Sequence, residues 1–431
     1  MRPSARLAAA VDVLDDCLNR HRPASTALSD WGKAHRFAGS GDRSVIGTLV
    51  FDALRTKASS AWIMGAETPR AIVLGSLKAS RGLDVEAIIA LVPGDGHSLA
   101  ALSDDERQRL AMVTTDGAPA WVTGNYPQWI APSLTTVFGD RASEESLALA
   151  RRAPIDLRVN AIKATREQVL QSLAPIGVDA TPFAPLGVRI AAPAGDARAP
   201  HVEAETSHGK GWFEVQDEGS QIAALLAGAR ARMQVLDLCA GAGGKTLALA
   251  ASMQNTGQIY AYDSDKIQLR PIFDRLTRAG VTNVNVIDAG RADELKSLGA
   301  RFDVVLVDAP CTGSGTWRRR PDAKWRLKPA NLAERQADQR AVLAVAASML
   351  RPGGRLIYVT CSVLPEENSV QTAAFLDAHP NFKIEPYADL WRKYVGGEPP
   401  QSADGRDDSL LLSPARHGTD GFFIASLRRT D

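Results

Sequence analysis

Two cysteines and one aspartate have the residue types that covalent chemistry on an electron-poor carbon needs. Asp308 and Cys311 follow the apolar run 302–307, and Cys361 follows a second apolar run, 355–359. Such runs predict buried parallel strands, and a doubly wound sheet binds its ligands at the carboxyl ends of its strands. A single cysteine is most often a buried, inert side chain. Two cysteines in polar turns at strand ends favour a nucleophilic role in one pocket.

A glycine-rich segment, 237–246, predicts a cofactor loop. It lies between a predicted strand at 235–238 and a predicted helix at 246–253. Glycines at such a turn let a ligand approach the backbone, and the helix N-terminus supplies N–H donors. A triphosphate loop is disfavoured because that motif needs glycine where Cys239 stands. Asp263 ends the next predicted strand, where a carboxylate accepts hydrogen bonds from ribose hydroxyls of either a dinucleotide or S-adenosylmethionine.

A basic run follows the Asp308 segment. Residues 318–328 contain six basic side chains in eleven. A charge run is usually a solvated surface, but this position favours contact with phosphates, and Trp317 or Trp325 is suited to pack against RNA. The predicted RNA-binding residues are Arg318, Arg319, Arg320, Lys324 and Trp325.

The elements that must position these residues change in character along the chain. Residues 1–142 have apolar residues at helical spacing, for example at 5–19 and 44–55. Residues 143–215 mix short strands with a helix that we expect Thr165 to cap, which predicts a small α+β domain. From residue 216 strands and helices alternate, which predicts an α/β domain with a parallel sheet.

The composition limits the number of domains, the class of protein and the cellular location that we expect. A chain of 431 residues is too long for one ordinary core, and 45% hydrophobic with 23% charged residues is typical of a globular protein. A net charge of +1 neither supports nor excludes a nucleic-acid partner. The four cysteines do not have the spacing of a zinc finger, so we expect no structural metal. So few cysteines in so long a chain favour a reducing compartment. No apolar run reaches roughly 18 residues, so we expect no membrane association and a cytoplasmic location.

Three cysteine-region motifs resemble those of the Sun-type (NOL/NOP/Sun) RNA cytosine-C5 methyltransferases. They are Asp308-Ala-Pro-Cys311, Arg320-Pro-Asp-Ala-Lys-Trp325 and Thr360-Cys-Ser-Val-Leu-Pro-Glu-Glu-Asn368. Within that family the chain resembles the bacterial enzymes of 16S ribosomal RNA. The segment 238–246 is similar to their S-adenosylmethionine loop, and 420–425 resembles their closing strand.

Weaker motifs extend the resemblance over the rest of the chain. Arg158-Val-Asn160 with Val215-Gln-Asp217 resembles the small connecting domain of the family, and the segment 42–46 is similar to the NusB-like domain of the bacterial enzymes. The resemblance implies a class I Rossmann-like methyltransferase domain at 216–431. It further implies an all-α NusB-like RNA-binding domain at 1–142 and a small α+β connecting domain at 143–215.

The resemblance also implies a role for each site residue. Cys361 would add to C6 of a cytosine so that C5 accepts the methyl group, Cys311 would assist loss of the C5 proton and elimination, and Asp308 would contact the base near N3. The expected partner is RNA, most of all small-subunit ribosomal RNA, bound by a monomer. The implied S-adenosylmethionine contacts are Cys239, Ala240, Gly241, Ala242, Gly243, Gly244, Lys245, Asp263, Asp288 and Asp308.

The sequence departs from the family pattern at two places. Ala242 stands where the family usually has proline. The acid expected next to Gly290-Arg291, which would contact adenine, is Asp288, one position early, and it can serve only if the turn shifts. The nucleophile also has an alternative, since DNA cytosine methyltransferases use the cysteine of their Pro-Cys motif, which would be Cys311.

Rival functions remain open from the residues alone. A non-catalytic RNA-binding assembly factor would keep the fold without turnover, although both cysteines, Asp308 and the cofactor loop argue against it. A transfer RNA methyltransferase stays possible. A DNA or protein methyltransferase is less favoured, because methylation of an amine does not require two cysteines. A target base must leave its stack to reach such a pocket, which favours accessible RNA.

Overall fold

The structure is a computed structural model that describes residues 1–94 and 98–431. Its helices are α1 (Pro3–Asn19), α2 (Ala24–Ala34), α3 (Ser40–Arg55), α4 (Lys57–Met64), α5 (Pro69–Ala79), α6 (Val85–Leu91), α7 (Asp104–Met112), α8 (Ala120–Thr123), α9 (Ala131–Phe138), α10 (Ala142–Ala150), α11 (Arg166–Leu173), α12 (Thr206–Gly209), α13 (Glu218–Leu226), α14 (Gly244–Ser252), α15 (Lys266–Leu269), α16 (Ile272–Ala279), α17 (Ala292–Ser297), α18 (Pro321–Arg326), α19 (Pro329–Met349), α20 (Ser369–Ala378), α21 (Tyr387–Tyr394) and α22 (Pro414–His417).

The strands divide between two sheets. They are β1 (Ile155–Val159), β2 (Val178–Ala180), β3 (Gly187–Ile190), β4 (Phe213–Val215), β5 (Gln234–Asp237), β6 (Gln258–Tyr262), β7 (Val284–Ile287), β8 (Phe302–Asp308), β9 (Leu350–Thr360), β10 (Phe382–Glu385), β11 (Leu410–Leu412) and β12 (Phe422–Arg429). The chain forms two compact units. The first comprises Met1–Arg152, Pro193–Ala199 and Trp317–Leu327, and the second comprises Ala153–Ala192, Pro200–Thr316 and Lys328–Asp431.

The first unit is helical. Helix α1 repeats apolar residues every three or four positions, so Leu7 and Leu14 share one face and are buried in the core, where Ile46 of α3 and Ile72 of α5 are also buried. Local signals fix where its helices begin. At α7 the Ser103 side chain accepts from a backbone N–H of the first turn in a full capping box, for example.

Residues 317–327 lie within this helical unit, although we predicted a continuous third domain over 216–431. The Trp325 indole N–H donates to the Leu54 carbonyl at 2.6 Å. Asp322 accepts from the backbone N–H of Ala24 at 3.3 Å. Helix α18 is therefore part of the packing of the first unit.

In the second unit, the smaller sheet has the strand order β2-β3-β1-β4 and is antiparallel throughout. Leu157 of β1 pairs with Val188 of β3 on one side and Val215 of β4 on the other. The predicted cap of α11 is present, since the Thr165 side chain accepts from the N–H of Gln168. The helix packs Val169 into the apolar core of this sheet.

The larger sheet confirms the predicted α/β fold. Its order is β10-β12-β9-β8-β5-β6-β7, with β11 beside β12. Strands β5 to β9 pair in parallel, and β10 to β12 are antiparallel. The chain order reverses between β5 and β8, and such a switch point opens a crevice at the carboxyl ends of the strands. None of the helices described here is long and apolar enough to cross a membrane.

Candidate active site

The glycine loop connects β5 to α14 at the switch point. Gly241 and Gly243 have φ values of +51° and +83°, which L side chains rarely adopt. A Cβ added at Gly243 would lie 2.5 Å from a side-chain carbon of Ile272. Glycine is therefore required at Gly243 by both conformation and space, and the turn exposes backbone at the start of α14.

Asp263 fixes the other side of this loop. One carboxylate oxygen accepts the N–H of Gly241 at 2.8 Å, and the other accepts the N–H of Asp265 at 2.8 Å. A carboxylate has about four acceptor positions, so each oxygen keeps capacity for a ligand hydroxyl. The predicted ribose contact thus fits the geometry of Asp263.

Asp237, which the sequence analysis did not assign, lies buried at the end of β5. One oxygen accepts the Thr246 hydroxyl at 2.7 Å, and the other has no hydrogen-bond partner in the described part of the chain. Burial raises the pKa of Asp237 to about 7. A positively charged ligand at the loop would favour the ionised carboxylate, and S-adenosylmethionine, which carries a sulfonium and an ammonium group, fits this requirement.

Lys245 and Asp308 form an ion pair across the crevice. The ammonium lies 2.6 Å from Oδ2 of Asp308, and their side chains are 7% and 33% exposed. Oδ1 of Asp308 has no hydrogen-bond partner among residues 1–94 and 98–431 and remains available to a ligand. Lys245 thus orients the carboxylate at the end of β8.

The two thiols meet beside this carboxylate. Strands β8 and β9 are parallel neighbours, with Asp308 in register with Val359, so the turns that follow them lie side by side. The sulfur atoms of Cys311 and Cys361 are 3.4 Å apart. The structure thereby brings together two cysteines that are fifty positions apart in sequence.

Glu367 stabilises the turn that carries Cys311 through hydrogen bonds to Thr312. Sequence reasoning did not assign a role to this residue. The buried carboxylate accepts the N–H of Thr312 at 2.8 Å, its hydroxyl at 2.5 Å and the Gln339 amide at 3.0 Å. Burial raises the pKa of Glu367. The only sequence signal was its place in the 360–368 motif, because its partners come from distant segments.

Hydroxyl and amide groups hold the Cys361 turn. The Thr360 hydroxyl donates to Asn368 at 2.6 Å, and the Asn368 amide donates back to the Ser362 carbonyl at 2.9 Å. The hydroxyls of Ser314 and Ser362 are 2.8 Å apart. These residues are buried, so Cys361 projects from a turn whose polar groups are paired within the protein.

The acidity of Cys311 is unlike that of a free thiol. Its hydrogen bond with Cys361, burial and the negative charge of Glu367 raise the pKa of Cys311 well above the usual range. The raised pKa favours the thiol form of Cys311 over its thiolate. Burial likewise raises the pKa of Cys239 in the glycine loop.

Comparison with known proteins identifies the family. A sequence profile described as 16S rRNA methyltransferase RsmB/F matches residues 224–428. The probable ribosomal RNA small subunit methyltransferase B of Synechocystis sp. is 32% identical over 71% of this chain and 67% of its own length. The corresponding enzyme of Sodalis glossinidius is 32% identical over 76% of this chain and 68% of its own. This chain belongs to the RsmB/F family.

Further matches cover the other regions of this RsmB/F protein. A profile for the ferredoxin-like domain of RsmF/B-like methyltransferases matches residues 126–195. The crystal structure of the protein PH0851 superposes with a TM-score of 0.73 at 25% identity, over 99% of both chains. The resemblance to this branch of the Sun-type enzymes is confirmed, and the chain is an RNA methyltransferase.

In this RsmB/F chain Asp288 lies exposed after β7. Its Oδ1 accepts the N–H of Gly290 at 3.0 Å, and the Tyr262 hydroxyl lies 3.5 Å from the Ala289 carbonyl. The carboxylate thus closes the turn with one oxygen. A contact between Asp288 and adenine remains a prediction.

The basic run is only partly on the surface. Arg318 and Lys324 are buried, at 5% and 1% exposure, whereas Arg319 and Arg320 are exposed. Burial and the charge of Arg55 lower the pKa of Lys324 to about 7. The burial of Arg318 and Lys324 in the helical unit disfavours phosphate contacts by these two side chains, and RNA binding by the basic run remains a prediction.

Proposed function

We propose that this chain methylates C5 of a cytosine in small-subunit ribosomal RNA, with S-adenosylmethionine as methyl donor, through a covalent cysteine adduct. The observation that carries the proposal is the pair of thiols 3.4 Å apart, next to a carboxylate on the neighbouring strand end. A cytosine ring is a poor nucleophile at C5 until a nucleophile adds at C6. A thiolate is suited to that addition.

The cofactor fits the glycine loop on three grounds. Gly241 and Gly243 open the backbone, Asp263 retains acceptors for ribose hydroxyls, and Asp237 favours a cation. When bound, S-adenosylmethionine supplies an electrophilic methyl group. The residues that would hold it are 239–245 and Asp263, with Asp288 at the adenine.

Cys361 performs the first step. Its thiol gives its proton to solvent and the sulfur forms a bond to C6, while the C5–C6 electron pair shifts into the ring. Asp308 passes a proton from solvent to N3, which neutralises the charge that develops there. Lys245 keeps that carboxylate in place at 2.6 Å. Bound S-adenosylmethionine would then supply the methyl group to C5, with its sulfur leaving as a neutral thioether.

Cys311 acts in the last step. The C5 proton leaves to a solvent base, N3 returns its proton through Asp308, the C5–C6 double bond re-forms, and the C6–sulfur bond breaks. Cys311 is protonated and 3.4 Å from Cys361, so its S–H hydrogen stabilises the departing thiolate. Loss of Cys311 should therefore trap the adduct, whereas loss of Cys361 should prevent it.

The test is a denaturing gel of Cys311→Ala and Cys361→Ala incubated with unmodified small-subunit ribosomal RNA and S-adenosylmethionine. A stable protein–RNA band with Cys311→Ala alone is the expected result. A band with Cys361→Ala alone would reverse the two roles. No band with either, and no methyl transfer by the wild type, would reject the proposal.

Two rivals are separated by further measurements. A non-catalytic assembly factor need not bind S-adenosylmethionine, so calorimetric titration with the cofactor distinguishes it. A transfer RNA enzyme would transfer methyl groups faster to unmodified transfer RNA than to 16S RNA at equal concentration. The RsmB/F membership favours the ribosomal substrate.

A further inference from the structure

A cavity of about 810 Å³ in the helical unit is lined by an unusual density of aromatic side chains. They are Trp62, Trp121, Tyr126, Trp129 and Trp325. Four of the eight tryptophans of the chain therefore meet in one place. Trp62 is 40% exposed on α4, although burying a large aromatic ring is strongly favourable.

Four aromatic donors of this cavity, which we call the tryptophan pocket, have no hydrogen-bond partner among the described residues. The Tyr126 side chain is only 1% exposed, and its hydroxyl bonds to no residue that the structure describes. The indole N–H groups of Trp62, Trp121 and Trp129 likewise have no hydrogen-bond partner within 1–94 and 98–431. None of them is a fully buried polar atom, so a ligand with several acceptors would bond to them in place of water.

Two cations border the same pocket. The Lys57 ammonium lies 4.9 Å from the ring centroid of Trp325 and 2.7 Å from Glu67. The Arg109 guanidinium donates to the carbonyls of Ile63 and Trp62 at 3.0 Å each. These bonds fix the positive charge of Arg109 beside the aromatic rings.

We propose that the tryptophan pocket binds an unstacked base of single-stranded RNA, at a point separate from the cytosine that is methylated. A nucleobase offers flat faces for stacking and carbonyl or ring-nitrogen acceptors, and its flanking phosphates suit Lys57 and Arg109. This inference rests on the proposed function, since it assigns part of the same RNA substrate to the helical unit. A proline-rich peptide also docks on aromatic rings but brings no anion for the two cations.

We expect the tryptophan pocket to contribute to the affinity for RNA and not to the rate of methyl transfer. A base held there lowers the concentration of RNA needed for half-saturation and leaves the bound reaction unchanged. Trp62→Ala should therefore raise KM for small-subunit RNA and leave kcat within about twofold. Base–aromatic stacking of ordinary strength predicts a rise of about fivefold or more.

The direct experiment measures binding of fluorescein-labelled dodecauridylate to the full-length protein by anisotropy. This oligonucleotide contains no cytosine, so no methyl transfer accompanies its binding, and comparison of the Trp62 variants isolates the contribution of the pocket. Trp62→Ala should weaken binding about fivefold or more, while Trp62→Phe keeps an aromatic face and stays within about twofold. Phe37→Ala is the matched control, because Phe37 is a 73% exposed aromatic of the same unit that does not line the pocket.

Each other result overturns the inference. Unchanged binding in folded Trp62→Ala and Trp129→Ala would remove it, as would a wild type whose tryptophan fluorescence is not quenched by dodecauridylate. A decaproline peptide that binds in place of dodecauridylate, and loses binding in Trp62→Ala, would assign the pocket to a protein partner.

The two proposals fail separately. Cys361→Ala should lose methyl transfer and bind dodecauridylate as the wild type does. Binding that depends on Trp62 in a protein that methylates no RNA would reject only the proposed function. Normal KM and kcat in Trp62→Ala would reject only the pocket.

Discussion

The glycine loop after β5 and the cysteine turns after β8 and β9 are held in place by different means. The glycine loop depends on backbone conformation, with positive φ at Gly243 and one carboxylate, Asp263, that accepts a loop N–H. The cysteine turns depend on side chains, with Glu367 and Asn368 binding the segments that carry the thiols. Substitutions in the first region should change cofactor affinity, and those in the second should change the chemical step.

The sharpest test of this division is Asp308→Asn, at the boundary of the two regions. The amide keeps the shape but cannot hold a proton for N3, so kcat should fall by about 10²- to 10⁴-fold. Single-turnover methyl transfer measures it. Lys245→Met, which removes the ammonium that orients Asp308, should lower kcat less. An equal loss in both variants would give Lys245 a direct role in the chemistry.

A second test strains the glycine loop. Gly243→Ala places a side chain at φ +83° and against Ile272, and such backbone strain costs about 1–3 kcal/mol. The dissociation constant for S-adenosylmethionine should rise about tenfold or more, as measured by calorimetry. Gly244→Ala is the control, since a Cβ there meets nothing closer than 3.7 Å. Equal affinity in the two variants would show that the loop tolerates strain.

A third test weakens the support of the cysteine turn. Glu367→Gln replaces one of the two acceptor oxygens with an NH2 group, so the side chain no longer accepts all three bonds from Thr312 and Gln339. Loss of such a buried bond costs about 1–3 kcal/mol. The free energy of unfolding should fall by that amount, and kcat should fall while cofactor affinity stays constant. Thr312→Val, which removes only the hydroxyl, should have a smaller effect. A change in cofactor affinity as large as the change in kcat would show that the cysteine turns also determine cofactor binding, which contradicts the separation of roles between the two regions.

The last test concerns pH and Asp237. Burial raises the pKa of this carboxyl from 3.8 to about 7, so the folded state binds its proton more readily than the unfolded state. Its stabilising contribution is complete below the unfolded pKa, about 4, and is lost as the pH rises to about 7. The urea midpoint of Asp237→Asn should therefore fall less than that of the wild type between pH 5 and pH 8. Parallel midpoints would show that Asp237 does not titrate in this range.

Sequence reasoning predicted the parts of the site that depend on local pattern. The strand ends that carry Asp308 and Asp263, and the glycine turn before α14, are set by apolar runs and by residue conformation. Short edge strands such as β10 and β11 were not predicted, because their pairing with β12 determines them. The 3.4 Å approach of the two sulfur atoms likewise depends on strand order, which periodicity does not specify.

The burial of charged side chains was the feature that sequence reasoning did not predict. Lys324 lies in a run of basic residues, and the sequence gives no sign that the segment folds into a unit whose other residues precede position 200. The role of Glu367 was not predicted for the same reason, because Thr312 and Gln339 approach its carboxylate only in the folded chain. Both residues are determined by tertiary contacts between segments remote in sequence.

The place of α18 in the helical unit sets an order of events during synthesis. The carbonyl of Leu54 accepts a hydrogen bond from the indole of Trp325. The N-terminal helices therefore leave the ribosome before α18, which packs against them, has been synthesised. At about 5–20 residues per second, the delay between residues 152 and 317 is roughly ten to thirty seconds. A nascent chain stalled before residue 317 should therefore be more sensitive to proteolysis in its helical unit than one released after residue 327.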